Sequence, residues 1–404
     1  MEEGETLRRT GDLKLIQELN RSIVLDMIRQ NGPISRVQIA EKIKISPTTV
    51  TSAVNDLIQD GLVYENGIGE SRGGRKPILL SFDPDSQFLI GVSIRNSGIV
   101  IAEINLEAVI SRKKHYSHNV NADFSEYLLQ IIREFLSDTK SLNKCIGISI
   151  ITQGIVDSLK GIILNNTKLK LKNIPIKVLV EKEFELPVSL DNDTNAYILA
   201  EKTFGDFTSF QNMLYIEIGE GVGAGIVVNG AIYRGNGGAG EFGHTSVDKG
   251  GVRCDCGNVG CLENYVGWPT IYSRILTSIK KGKHSHMSDL VAGHIADITP
   301  EVFVKAIRLG DELALKILDE VVGYLASGIV NLVHLFNPEV ILLGGEFVFE
   351  NPIFISKVKS YVKSHAFEVL SDRLEMEQGS LGKEFEMIGA AAVILHDKFR
   401  FSIT

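Results

Sequence analysis

The stretch between Leu214 and Glu263 constrains this chain more than any other. An apolar run at 214–218 enters a glycine-dense turn (Gly219, Gly221, Gly223, Gly225) and resumes at 226–228, which predicts strand, turn, strand. That density of glycine implies a backbone that comes close to something. A second cluster, Gly235, Gly237, Gly238 and Gly240, precedes Glu241 and His244. Beyond the histidine, three of the chain's four cysteines (Cys254, Cys256 and Cys261) fall within eight residues. A C-x-C followed by G-x2-G-C lets a tight loop gather three thiolates, and His244 is the nearest imidazole able to complete a tetrahedral set suited to Zn²⁺. Four protein ligands leave no place for water, so the expected role is structural, fixing the loop that carries Glu241, His244 and Glu263. A disulfide or free cysteines are the competing readings of the thiols. The absence of a secretory signal argues against the disulfide, since a reducing cytoplasm is then the expected compartment.

The glycine pattern Gly221-Val222-Gly223-Ala224-Gly225, then Gly235, Glu241-Phe242-Gly243-His244 and C-x-C-G-x2-G-C-x-E, resembles the signature of the ROK family of sugar-responsive repressors and sugar kinases. Alternating apolar strands (88–94, 99–104, 110 onward, 146–151) and helical periodicity at 124–136 read independently as an α/β fold. The resemblance implies an α/β two-lobed, actin-like (hexokinase-like) domain. Its expected first lobe is 88–200, closed by a C-terminal helix at 384–404, and its second lobe, with the zinc site, is 201–383. Carried over by position, Asn192, Asp193, Glu241, His244 and Glu263 are the implied sugar contacts. Amide and carboxylate acceptors suit that task, because each buried sugar hydroxyl is a donor that must be paired. For Asp191 and Asn195, turn and cap chemistry is the preferred reading.

The kinases of that family carry an Asp-x-Gly-Gly-Thr type motif at the first strand and turn. Aligned on Gly91, this chain has Ser93 in place of the aspartate and Arg95 and Asn96 in place of the glycines. Side chains there block close approach of phosphates, and a metal loses its anchor. Where the kinases commonly have Gly-Thr-Gly, the chain reads Gly219-Glu220-Gly221, setting a carboxylate against polyphosphate. The expectation is therefore a binding protein with no catalytic residues, the alternative being a sugar kinase with an appended DNA-binding domain. A zinc enzyme is excluded by the closed ligand set.

The N-terminal segment supplies the other half of the reading. Helical spacing runs over 13–30 and stops at Asn31-Gly32-Pro33. Ser35 is expected to cap a short helix through Ile43, with Val37, Ala40 and Ile43 facing inward. Ser46 as N-cap and Pro47 at the first helical position open a third helix to about Gln59. Its inward stripe is Val50, Val54, Leu57 and Ile58. Ser46, Thr48, Thr49, Thr51, Ser52 and Asn55 are short polar side chains able to meet phosphates and base edges in a major groove. Two short strands then flank a glycine-flexed loop with Arg72, Arg75 and Lys76, as a wing against a phosphate backbone requires. Together these predict a winged helix-turn-helix over 1–82, joined through 83–87. Residues 1–87 hold 11 Lys and Arg against 13 Asp and Glu, so attraction to DNA must come from local placement.

At 404 residues and a net charge of −8, the chain has room for two or three compact units and is too acidic to coat nucleic acid over its whole surface. No apolar run spans a bilayer, so no membrane partner is expected and the cytoplasm is the expected location. The expected partners are a palindromic operator, a small sugar and a second copy of the chain, since one winged helix rarely gives adequate specificity. The domain order resembles the family's xylose-repressor group, with glucose and N-acetylglucosamine derivatives left open. Residues 281–300 are expected to be a polar loop, and no internal repeat stands out.

Overall fold

The computed structural model describes residues 13–70, 76–346 and 348–399. At its N-terminus, α1 (Leu13–Asn31), α2 (Arg36–Ile43) and α3 (Pro47–Gln59) pack with a small antiparallel sheet of β1 (Ile34–Ser35), β2 (Val63–Ile68) and β3 (Ile78–Phe82). Local chemistry sets the boundaries. Ser35 and Gln38 form a capping box on α2, and the Ser46 side chain accepts from the Thr49 amide ahead of Pro47. Val24, Ile28, Ile39, Val50, Val54 and Leu57 bury the seam between the helices. Val37 does not join it. It is 59% exposed, and Ile39 points inward instead.

Residues 83–87 form a turn into the first large sheet, ordered β11-β7-β4-β5-β6. These strands are β4 (Phe88–Arg95), β5 (Gly98–Asn105), β6 (Ile110–Tyr116), β7 (Cys145–Thr152) and β11 (Val188–Asn192). Between β7 and β11 come a three-stranded flap, β8 (Ile155–Asp157), β9 (Ile162–Asn166) and β10 (Leu171–Ile174), and then α5 (Ile176–Phe184). Helix α4 (Phe124–Ser137), capped by Asp123, buries Leu128, Ile131, Ile132 and Phe135 on the sheet.

After α6 (Asp193–Phe204), the second sheet is ordered β14-β13-β12-β15-β16. It comprises β12 (Met213–Ile218), β13 (Val222–Val228), β14 (Ala231–Ile232), β15 (Val340–Gly344) and β16 (Glu375–Gln378). Its helices are α7 (Glu263–Val266), α8 (Trp268–Lys280), α9 (His286–Leu290), α10 (Pro300–Arg308), α11 (Glu312–Phe336), α12 (Pro352–His365) and α13 (Glu368–Ser371). The polar stretch 281–300 is therefore not all loop: α9 is capped by Ser285 and buries Met287.

The two large sheets share one plan. In each, three consecutive strands pair antiparallel and two later strands add in parallel on the other side of the first. This is a duplication of topology without a visible repeat in sequence. Two helices fill the space between the sheets: α6 and α14 (Phe385–Phe399). Gly389 permits their close approach, since a Cβ there would sit 3.0 Å from the Tyr197 ring. Helix α14 also belongs to the N-terminal core, where Ala391, Ile394, Leu395 and Phe399 share one buried cluster with Leu25, Leu57, Leu62 and Phe82.

Candidate functional site

A cleft of about 530 Å³ lies between the two sheets. Asn192, Asp193, Glu241, His244 and Glu263, scattered over 72 positions of sequence, all line it. Asn192 ends β11 and caps α6: its Oδ1 accepts from the Thr194 amide at 2.9 Å, and its Nδ2 donates to Gly154 O at 2.9 Å. The capping role assigned by sequence to Asp191 and Asn195 thus falls mainly on Asn192. Asp191 instead anchors Arg234, whose Nε donates to it at 3.1 Å, and accepts from Asn195 Nδ2 at 3.1 Å. Asp193, the first residue of α6, is buried, and that burial pushes its carboxyl up to about 7 despite the nearby Arg95.

The β12–β13 hairpin explains the glycines. A Cβ on Gly225 would lie 2.3 Å from Thr194 O, and one on Gly221 would lie 2.9 Å from a Glu263 carboxylate oxygen. What the turn approaches so closely is the first turn of α6 and Glu263, and Glu263 in turn accepts from the Val222 amide at 3.1 Å. Lys168, from the flap, donates to Glu220 O at 3.1 Å and lies 3.7 Å from Glu263.

Ser93 and Arg95 meet at the cleft floor. Arg95 ends β4 with its side chain only 8% exposed, paired with Glu386 on the first turn of α14 and with Glu346, at 3.3 Å, after β15. Ser93 Oγ donates to the same Glu386 at 3.3 Å. Burial alone would lower the guanidinium's pKa, but Glu386, Tyr197, Glu217 and Glu346 outweigh it and hold Arg95 above its ordinary value. Beside it, burial pushes the Glu217 carboxyl up to about 8. Arg95 Nε and Glu217 Oε1 are buried without a hydrogen-bond partner, as are Asn96 Oδ1 and Glu220 Oε2 on the cleft wall. Buried orphan atoms of this kind are what a polar ligand would satisfy.

Sequence reading missed Glu217, Glu346, Glu386 and Lys168. Glu217 carried a signal, a lone carboxylate inside an apolar run. Glu346 and Glu386 carried none, since their partner Arg95 lies 251 and 291 residues away.

One donor atom each from His244, Cys254, Cys256 and Cys261 falls within 4.8 Å of the others. Cys256 Sγ and Cys261 Sγ are 3.6 Å apart, and His244 Nδ1 lies 3.6 Å from Cys254 Sγ. A tetrahedral ion with metal–sulfur bonds of about 2.3 Å needs sulfurs about 3.8 Å apart, so the donors fit. His244 faces two ways: Nδ1 joins the thiols, while Nε2 lies 3.9 Å from Glu241 on the cleft wall. One imidazole can therefore occupy both positions that the sequence assigned to it.

In the N-terminal unit, Ser46, Thr48, Thr51, Ser52 and Asn55 are exposed on α3, with Thr49 half-buried. Ser46 and Thr49 hydroxyls bond to each other at 2.8 Å, and Thr51 Oγ1 donates to Pro47 O at 2.8 Å. Lys76 is exposed, while Arg72 and Arg75 lie outside the described residues.

Comparison with known proteins closes the question of family. Residues 89–397 match the ROK family model, and residues 20–64 match a winged helix-turn-helix DNA-binding model. The chain belongs to the ROK family. This ROK protein is 30% identical to a xylose repressor of Caldicellulosiruptor bescii over 399 residues, covering 97% of this chain and 99% of the relative. It is also 30% identical to the DNA-binding transcriptional dual regulator NagC of Escherichia coli over 388 residues, covering 95% and 94%. Among solved structures, a ROK family transcriptional regulator described as a homolog of the E. coli MLC protein superposes with a TM-score of 0.82 at 28% identity, covering 96% and 98%. A ROK glucokinase from Streptomyces griseus, solved with glucose and AMPPNP, shares the fold alone, with a TM-score of 0.65 at 24% identity, covering 75% of this chain and 98% of its own. No helix among the described residues is long and apolar enough to cross a membrane.

Proposed function

We propose that this ROK protein is a transcriptional repressor of carbohydrate-utilisation genes, in which a small sugar held between the lobes releases operator DNA. The observation that carries this reading is the course of α14. Its first turn places Glu386 on Arg95 at the cleft floor, and its last turns place Ile394, Leu395 and Phe399 in the core of the DNA-binding unit. Fifteen residues make a rod of about 22 Å, long enough to link the two places directly. Asp397, near the same end, accepts from Ser189 Oγ on β11 at 2.7 Å, and β11 ends at Asn192 and Asp193. A sugar that draws the lobes together shifts both supports of the helix and with them the seat of the winged helix. It can do so only by its differential affinity for the two states, and a hundredfold release needs about 2.7 kcal/mol of coupling.

Asn192, Asp193, Glu241, Glu263 and the Nε2 side of His244 would bind and orient sugar hydroxyls. Cys254, Cys256, Cys261 and His244 Nδ1 would hold Zn²⁺, which when bound contributes four bonds that fix the wall carrying Glu241 and Glu263. Exposed α3 side chains and the wing cations Arg72, Arg75 and Lys76 would meet the duplex, two copies of the chain reading a two-fold related site.

The kinase alternative needs a phosphate cradle where this chain has Arg95, Asn96 and Glu220. Asp193 remains a competent proton acceptor, so it is the filled cradle that disfavours transfer. Operator fragments selected from genomic DNA, tested by mobility shift against xylose, glucose, N-acetylglucosamine and their phosphates, decide the matter. Release by at least one of them is expected. Operator affinity indifferent to the whole panel, or sugar-dependent ADP release, would refute the proposal.

A further inference from the structure

The cleft walls carry an unequal charge. Six carboxyl-bearing residues line it (Asp193, Glu217, Glu220, Glu241, Asp255 and Glu263) against two permanent cations, Arg95 and Lys168. Neither cation offers unpaired charge, although Arg95 Nε has no hydrogen-bond partner. Arg95 is spent on Glu386 and Glu346, so the floor around it holds two further carboxylates. Lys168 is engaged by Glu220 O and Glu263. Burial leaves Glu217 largely and Asp193 partly protonated at neutral pH, so the negative charge rests chiefly on the other carboxylates. A phosphate monoester brought into this space would still meet like charges at short range and would have to strip Lys168 from its partners. Hydroxyls meet no such penalty, being donors for which the walls offer acceptors, among them the orphaned Glu217 Oε1, Glu220 Oε2 and Asn96 Oδ1.

Resting on the sugar-effector reading above, we propose that Arg95 and the carboxylates gathered round it make this cleft a receptor for an uncharged sugar and exclude phosphorylated sugars. Arg95 is the specificity-determining residue of the set. In a cradle of glycines, backbone amides would welcome a phosphate, whereas here a guanidinium already neutralised by Glu386 and Glu346 occupies that floor. The choice between a sugar and its ester is thus made by charges already in place, before any hydroxyl is read.

Calorimetric titration of the full chain with matched pairs tests this: xylose and xylose 5-phosphate, glucose and glucose 6-phosphate, N-acetylglucosamine and its 6-phosphate. At least one free sugar is expected to bind, with its ester weaker by about tenfold or more. Glu220→Gln, at the half-buried turn between β12 and β13, should narrow that gap by about threefold while circular dichroism stays unchanged. An ester that binds as tightly as its parent sugar, or more tightly, overturns the exclusion and leaves the sugar-effector reading standing. If neither member of any pair binds, both fall together.

Discussion

Glu386→Gln is the substitution that bears most directly on how this molecule works. It keeps the size and an acceptor oxygen of Glu386 but removes the charge facing Arg95. The Arg95 side chain is 8% exposed, and its other direct partner, Glu346, is 47% exposed and lies 3.3 Å away. Breaking one partner from a buried pair costs about 3–5 kcal/mol when nothing replaces it. Here Glu346, Glu217 and Asp193 still surround the cation, so a loss of about 2 kcal/mol is the reasonable figure, seen as a fall of several degrees in melting temperature. The larger effect is on communication. If the Arg95 contact is what fixes the first turn of α14 to the cleft, uncoupling it should shrink a hundredfold sugar-driven release to tenfold or less, a loss of about 1.4 kcal/mol of coupling. Fluorescence anisotropy of a labelled operator, with and without saturating sugar, reads this directly, and Glu346→Gln is the matched control with a weaker expected effect. A Glu386→Gln protein that melts earlier yet releases DNA as fully as the parent would show that the pair is structural only.

Three other outcomes follow from the same geometry. Cys256→Ser should lose bound zinc by elemental analysis and weaken the sugar response by about tenfold or more, since the wall bearing Glu241 is no longer tied down. In the DNA-binding unit, Arg75→Ala should lower the slope of log affinity against log salt by about one, whereas Asn55→Ala should alter base preference and leave the slope in place. Asp193 and Glu217 have carboxyls raised by burial to about 7 and about 8. The folded state therefore holds more protons than the unfolded chain above pH 4, so their contribution to stability is present at low pH and is lost as pH rises through 7 to 8. Melting temperature should decline from about pH 4 and level off above about pH 8, and the paired Asp193→Asn, Glu217→Gln protein should show a flatter profile.

What could be read from sequence divides along physical lines. The start of helix α3 was legible to the residue because Ser46 and Pro47 are local signals that need no partner. The face of α2 was not, since two turns of helix hold too few apolar residues to fix a direction, and Val37 is exposed where Ile39 is buried. Helix α9 was missed because its support is tertiary: the His286 amide donates to Asp311 at 2.7 Å, and Asp311 also caps α11. The four donors that could hold a metal lie within 18 residues, so spacing alone brought them together. The floor of the cleft depends on carboxylates from β12, the turn after β15 and α14. No local pattern announces such a meeting, nor the repeated strand order of the two sheets.

These floor residues also depend on one another. A buried guanidinium at position 95 is tolerable only with carboxylates beside it, and Glu217, Glu346 and Glu386 meet that need. Those same carboxylates, without the guanidinium, would face one another unneutralised and would repel an anion entering the cleft. Glycine placed at position 95 alone would therefore make the cleft floor more negative and no more hospitable to ATP. To recover a phosphate cradle, the cation and its carboxylates would have to go together, and Glu386 would then no longer tie α14 to the floor. Glu386 is thus the one group that both neutralises Arg95 and ties α14, which reaches the N-terminal core, to the cleft floor.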